Sequence, residues 1–369
     1  MSDDRLLGLL RHFDIPAPAN TVWVATPHAK TQGFSQSKIW QVESAESATG
    51  PARVETTAGP IWCLRSWPID EPSAPRLHWI HQQVSTVSRR CSFLLPPVPL
   101  KHQPGTFLEQ ADRLWQVEPW ATGSNDFHRE PNQDRLAGAM RGLAHLHQCW
   151  LVSPWDSSSV LFGQWDSFGS AYSVVGPSPG LKSRSLQLNR LVETCQSIFL
   201  QAREYWRVSR DHRFGSETIW RSLIDRIEQH WNAQLQSCRE TLEQCHLLKL
   251  PLGPILADVW SDHLFFVGDQ LSAIIDYGAM RVDSAAADLS RCLLSLCGQD
   301  EGARRFALRE YEAIRPLVEP ERAAIPVFDQ SSWLLGPMHW LHWLFMERRM
   351  APSEIILQRL QCLLEGHPY

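Results

Sequence analysis

The sequence predicts an α+β fold, with a small β-rich N-terminal part and a larger, mostly helical C-terminal part. Three observations carry that expectation. Between residues 21 and 67, short runs rich in β-branched and aromatic residues alternate with Gly and Pro punctuation. From residue 131 onward, apolar residues recur mainly at helical spacing. Within that helical part, Leu264-Phe265-Phe266-Val267, the turn pair Gly268-Asp269 and the run Leu271 to Ile275 form a hairpin signal.

In chain order, Leu6, Leu7, Leu9 and Leu10 predict a short leading helix. Strands are expected at Thr21 to Val24, Ser37 to Val42, Ala52 to Thr56 and Ile61 to Ser66, then a helix over Leu77 to Arg90. Two further strands are expected at Gly105 to Leu108 and Leu114 to Val117. Pro131 to Trp150 is an amphipathic helix capped by Asn132, with Leu136, Met140, Leu143, Leu146 and Trp150 on one face. Residues 151–182 show little periodicity and predict an irregular connection. Long helices follow at Ser185 to Val208 and Ser216 to Leu247. Beyond the hairpin, helices are expected at Asp288 to Cys297, Ala303 to Ile314, Ser331 to Met350 and Ser353 to Leu364.

Composition narrows the function. At 369 residues, 43% hydrophobic and 20% charged, the chain can bury a large core over two domains. A formal net charge of −5 offers no basic field for nucleic acid or an anionic membrane. No apolar run approaches the roughly 20 residues of a membrane span, and the N-terminus shows no secretory pattern, so a cytoplasmic protein is expected. Nine cysteines, an odd number without C-x-x-C pairs, predict reduced and mostly buried thiols. Seventeen tryptophans spread through the chain read as core.

Candidate chemistry gathers around the hairpin: Asp258, Asp262 and His263 precede it, and Asp276, followed by Tyr277-Gly278, ends it. Taken singly, Asp258 reads as a capping carboxylate and Asp276 as a strand-end turn residue. Their spacing resembles the aminoglycoside phosphotransferase and choline kinase-like branch of the protein-kinase-like fold. That family has a loop H-G-D-x-x-x-x-N before such a hairpin, and an Asp in an I-D-[FYW]-G/E context after it. Asp258 stands at the loop Asp, Asp276 follows it by eighteen residues, and Asp283 with Asp288-Leu289 resembles the family's D-x-x-x-D-L-A segment. The chain departs from the pattern at Leu256-Ala257, where the family has His-Gly, and at His263, where it has Asn.

The resemblance implies a two-lobed kinase-like fold divided near residue 118, with residues 1–118 as nucleotide-binding lobe and 119–369 as the lobe carrying the catalytic loop and hairpin (254–291). It implies phosphoryl transfer from ATP with Mg²⁺ to a hydroxyl of a small-molecule acceptor, with Asp258 as the base. Asp276 and His263 would be metal ligands, although His263 can instead orient Asp258, and Asp262 can supply an oxygen. Arg65 stands where the family places its ATP-anchoring lysine, and an exposed strand-end arginine is the alternative. Gly33 and Ser35 lie in a loop that would cover phosphates, with Lys38 behind it, or make an ordinary hairpin turn with a solvent-facing lysine. Leu114 to Trp120, including Glu118, resembles the strand and hinge that meet adenine. His147 fits a packing role, and Asp288 a structural one, capping the start of its helix and bracing the loop. His339 and His342 read as packed core histidines, with a pocket lining or a metal site as the alternatives. Two other classes compete: an inactive relative that binds nucleotide or a metabolite as sensor or scaffold, and, less well matched, a metal-dependent hydrolase using Asp258, Asp262, His263 and Asp276.

Overall fold

The computed structural model describes residues 3–16, 21–28, 37–44, 60–152, 174–208, 217–349 and 353–366. In chain order the elements are α1 (Asp3–Leu10), β1 (Trp23–Pro27), β2 (Lys38–Ser44), β3 (Trp62–Pro68), α2 (Ala74–Ser88), β4 (Leu108–Gln110) and β5 (Arg113–Pro119). Then come α3 (Gln133–Val152), β6 (Val174–Pro177), α4 (Pro179–Val208), α5 (Glu217–Cys245), β7 (Lys249–Ile255), β8 (Leu264–Val267), β9 (Gln270–Ile274) and β10 (Arg281–Asp283). The chain closes with α6 (Ala285–Cys297), α7 (Glu301–Glu312), α8 (Glu319–Leu341) and α9 (Glu354–Glu365). The expected α+β organisation is found. The strand expected at Ala52 to Thr56 lies outside the described residues.

The chain divides into two compact units, which are Met1–Ser124, Ser153–Ala171 and Leu264–Gly278 for the first, and the rest for the second. In the first unit β1 to β5 form one antiparallel sheet in the order β1-β2-β3-β5-β4. Directly opposed residues share a face. One face therefore carries Leu64 and Val117, packed with Val42, Leu6, Leu9, Phe13 and Val98 into an apolar core. The other carries Cys63, Arg65 and Trp67 of β3 opposite Glu118, Gln116 and Leu114 of β5. Trp67 and Leu114 pack there with Leu77 of α2.

The β8–β9 hairpin, expected to go with the helical part, groups with the first unit. Its backbone accounts for this. Phe266 and Ser124 exchange N–H···O bonds of 2.8 and 2.9 Å, and Ile274 N donates to Phe93 O at 2.9 Å. Tyr277 Oη donates to Ile274 O at 2.5 Å and accepts from Leu95 N at 3.0 Å. These bonds fix where the chain after β9 emerges.

The second unit is helical around a small sheet in the order β10-β7-β6. Sequence periodicity missed β7 because it contains Pro251 and Pro254. Its first half pairs with β6 and its second half with β10, so neither half is paired along both edges. It also placed the start of α8 at residue 331, misled by Pro326, whereas the helix runs from Glu319. Buried Arg315 and Glu321 pair at 2.7 Å near that start, and Glu321 accepts from Val318 N at 3.2 Å. Among the described residues, no helix is long and apolar enough to cross a membrane. All nine cysteines are free, six of them buried.

Gly278 carries a packing constraint. A Cβ added there would stand 2.8 Å from the Trp67 ring, inside contact distance. Gly278→Ala should therefore destabilise the protein by about 1–3 kcal/mol, through displacement of a buried indole. Chemical denaturation of wild type and variant measures this.

Candidate active site

In the first unit the site is built on the polar face of β3 and β5. Arg65 is buried, and its guanidinium lies 3.3 Å from Glu118 and 3.1 Å from Asp276. The Trp67 ring sits 5.0 Å beneath it. Burial opposes charge on Arg65, but the two carboxylates overcome it and hold its pKa above the ordinary value. Burial raises the pKa of Glu118, against the pull of Arg65. Asp276 is the exposed member at 37%, in left-handed backbone (φ 65°) that Asp tolerates better than most residues. A part-exposed carboxylate fixed by an arginine is an oxygen donor of the kind Mg²⁺ takes.

A second layer fixes this cluster. Gln116 Nε2 donates to Glu118 at 2.9 Å, which turns its carbonyl oxygen toward Trp67 Nε1 at 2.8 Å and His81 Nε2 at 3.0 Å. His81 must then carry its proton on Nε2 and accept from Thr106 Oγ1 at 2.7 Å through Nδ1. No glutamate of α2 meets Arg65 among the described residues. The acid comes instead from β5, and α2 contributes His81. Glu118 was singled out in the sequence for its place in a hinge-like strand. Its pairing with Arg65 follows from the register Cys63↔Glu118 and Arg65↔Gln116, which sequence alone does not give.

In the second unit the loop after β7 carries Asp258. Its carboxylate, 42% exposed, lies 3.0 Å from Arg291 of α6. The loop backbone is held by Asp288, wholly buried, which accepts from Leu256 N at 2.8 Å and Ala257 N at 2.7 Å. Asp288 also meets His147 Nε2 at 3.1 Å, and His147 Nδ1 meets Tyr311 Oη at 2.8 Å. The bracing expected of Asp288 is present, whereas the cap of its own helix is Ser284, which accepts from Ala286 N. Leu256, where the family has His, thus secures the loop through its backbone N–H. His147 is a hydrogen-bonded member of this brace, beyond the packing role expected for it.

His263 lies in a 3₁₀ turn, Ser261–His263. Its Nδ1 meets the Asp258 carbonyl at 2.7 Å, and its Nε2 accepts from Trp260 Nε1 at 2.9 Å. With both ring nitrogens in use, the geometry favours bracing of the Asp258 backbone over metal ligation. Asp262 lies 3.8 Å from Arg359. Lys38 is exposed and opposes Ser66, on the face of the sheet away from Arg65, so the structure does not bring these two together. Gly33 and Ser35 lie outside the described residues.

A β-rich unit with a buried arginine, an acidic partner and a hairpin aspartate, together with a helical unit bearing a braced aspartate loop, defines a two-lobed protein-kinase-like fold. The sequence model of the phosphotransferase enzyme family matches residues 52–324. That span is well over half of the chain, and the chain belongs to this family. A homoserine kinase of Rhizobium etli is 34% identical over 128 residues, covering 32% of this chain and 40% of that protein. The chain thus spans about two fifths of that relative. A spectinomycin phosphotransferase bound to ADP and spectinomycin superposes with TM-score 0.61 at 10% identity, over 99% of this chain and 94% of that one. An amicoumacin kinase in complex with AMP-PNP and Ca²⁺ superposes with TM-score 0.58 at 13% identity, over 100% and 95%.

Two outcomes test this geometry. Burial holds His81 down to about 4 and also lowers the pKa of His147. A depressed folded pKa gives stability that is complete above the unfolded value, near 6.5, and lost as pH falls toward 4. Unfolding free energy should drop by on the order of 3 kcal/mol across that window for His81 alone. His81→Asn should flatten the profile, as read by denaturant titration at stepped pH. Separately, Ala257 holds φ 65° where the resembled family has glycine. Ala257→Gly should leave stability unchanged or raise it by up to about 1 kcal/mol, as read by thermal unfolding.

Proposed function

We propose that this chain is an ATP- and Mg²⁺-dependent phosphotransferase acting on a hydroxyl of a small molecule. The carrying observation is the pairing of buried Arg65 with Glu118 and Asp276. Phosphoryl transfer depends on positioned charge more than on covalent help from the protein. Arg65 supplies a planar, permanently charged fork for phosphate oxygens. Glu118 positions it, and Gln116 with His81 positions Glu118. Asp276 would hold Mg²⁺, which when bound neutralises phosphate charge. In this reading the loop containing Gly33 and Ser35 completes the nucleotide side, without Lys38, which lies on the other face of the sheet.

Asp258 accepts the proton of the acceptor hydroxyl. Arg291 sets its carboxylate, while Asp288 and His263 fix its backbone. Two departures in the loop, at Leu256 and Ala257, leave it braced by Asp288, so the loop gives no support to a binding-only role. The name of the homoserine kinase relatives makes homoserine one acceptor to try, beside aminoglycosides and amino alcohols.

Wild type should gain roughly 2.7 kcal/mol of stability from ATP at a hundred times its Kd, only with Mg²⁺, and Asp276→Ala should lose that gain. Asp258→Asn should keep the stabilisation while turnover on an acceptor panel falls by about 10²–10⁴. Magnesium-independent stabilisation, or turnover retained in Asp258→Asn, would overturn the assignment of these residues.

A further inference from the structure

We infer that the acceptor carries a carboxylate, and that Arg184 at the start of α4 is the residue that receives it. This rests on the reading of Asp258 as the base, because Arg184 belongs to the same group of charges in the second unit.

That group contains four arginines and three aspartates. Arg291 pairs with Asp258 at 3.0 Å, Arg281 with Asp283 at 3.4 Å, and Arg304 with Asp329. Asp283 also accepts from Ser178 Oγ at 2.6 Å, and Asp329 from Ser290 Oγ at 2.5 Å. Ser290 precedes Arg291 on α6, and Asp329 lies on α8 within the segment that Arg184 contacts, so α4, α6 and α8 bring these side chains together. Of these four arginines, Arg184 is the one with no carboxylate partner among the described residues.

Arg184 is half-buried, and among the described residues no carboxylate pairs with it. All its hydrogen bonds leave through Nη1 and end on neutral oxygens: Phe328 O at 3.2 Å, Ser331 Oγ at 2.9 Å and Ser332 Oγ at 2.8 Å. The Phe328 ring lies 5.1 Å from the guanidinium. The Nε/Nη2 edge makes no hydrogen bond to described residues, and that edge is the one a carboxylate binds with two parallel bonds. Burial lowers its pKa to about 10, with Arg281 and Arg291 acting in the same sense and Asp283 and Asp329 against it, so it stays cationic at neutral pH. His339 of α8 feels the same charge and is held neutral, its pKa lowered by burial to about 4. A cationic acceptor would meet the positive charge of Arg184 here. An anionic one neutralises it, and its carboxylate on Arg184 leaves Asp258 to face the hydroxyl.

The experiment uses matched probes on the full chain: L-homoserine against 3-aminopropan-1-ol, and D-glycerate against glycerol. Binding is read by calorimetry without nucleotide, so the result stands whether or not Mg²⁺-ATP binds. The expected result is at least tenfold tighter binding for one hydroxy acid over its carboxyl-free partner. Arg184→Gln should remove that preference, and Arg184→Lys should keep part of it, with ATP affinity unchanged in both and folding confirmed by thermal unfolding. Equal or stronger binding of the carboxyl-free partners overturns the inference. So does failure of both acids to bind, or an undiminished preference in folded Arg184→Gln.

Discussion

The loop that carries Asp258 depends on one buried carboxylate. Asp288 has no exposed surface, and it receives two backbone N–H groups from Leu256 and Ala257 together with the His147 imidazole. A carboxylate taken that far from water is tolerable only when its oxygens are bonded. That requirement selects the surrounding sequence. His147 is placed by α3, Tyr311 by α7, and the left-handed turn at Ala257 is what aims two successive N–H groups at one side chain. Removal of Asp288 would strand three donors at once, so the loop geometry and the helix packing stand or fall together.

The corresponding constraint in the first unit is a charge, Arg65, buried between β3 and the hairpin. The two systems are built alike. Each buries an ionic group, Arg65 with Glu118 in one and Asp288 in the other, backs it with neutral hydrogen-bonding groups, and leaves a more exposed aspartate at its edge: Asp276 in one, Asp258 in the other. A guanidinium, with five donors in a plane, suits this arrangement better than an ammonium, because it can meet Glu118 and Asp276 through separate nitrogens.

Much of this was legible in the sequence. The hairpin announces itself through period and turn chemistry, and the eighteen-residue separation of Asp258 and Asp276 carries the kinase-like resemblance. The positions of α2 to α5 follow from periodicity with only shifted ends. What was not legible depends on partners far away in the chain. Arg65 could be placed on a strand, but whether it met a carboxylate depended on the register of β3 against β5, fifty residues on. The role of His263 turned on Trp260 and the Asp258 carbonyl both reaching its ring. Strand β7 and the first three turns of α8 hid behind prolines, whose local effect opposes regular structure until tertiary pairing decides otherwise. Arg184 resembled any of the many arginines on a charged helix, because whether it meets a carboxylate depends on α8, 144 to 148 residues further along.

The origin of the acid that meets Arg65 has a consequence for control. In protein kinases the strand lysine is paired by a glutamate on the mobile helix, and moving that helix makes or breaks the pair. Here donor and acceptor stand on adjacent strands of one sheet, two rungs apart, and share its rigidity. Swinging α2 outward would cost the His81–Gln116 bond but would leave the ion pair assembled. Formation of this ion pair is therefore independent of the position of α2.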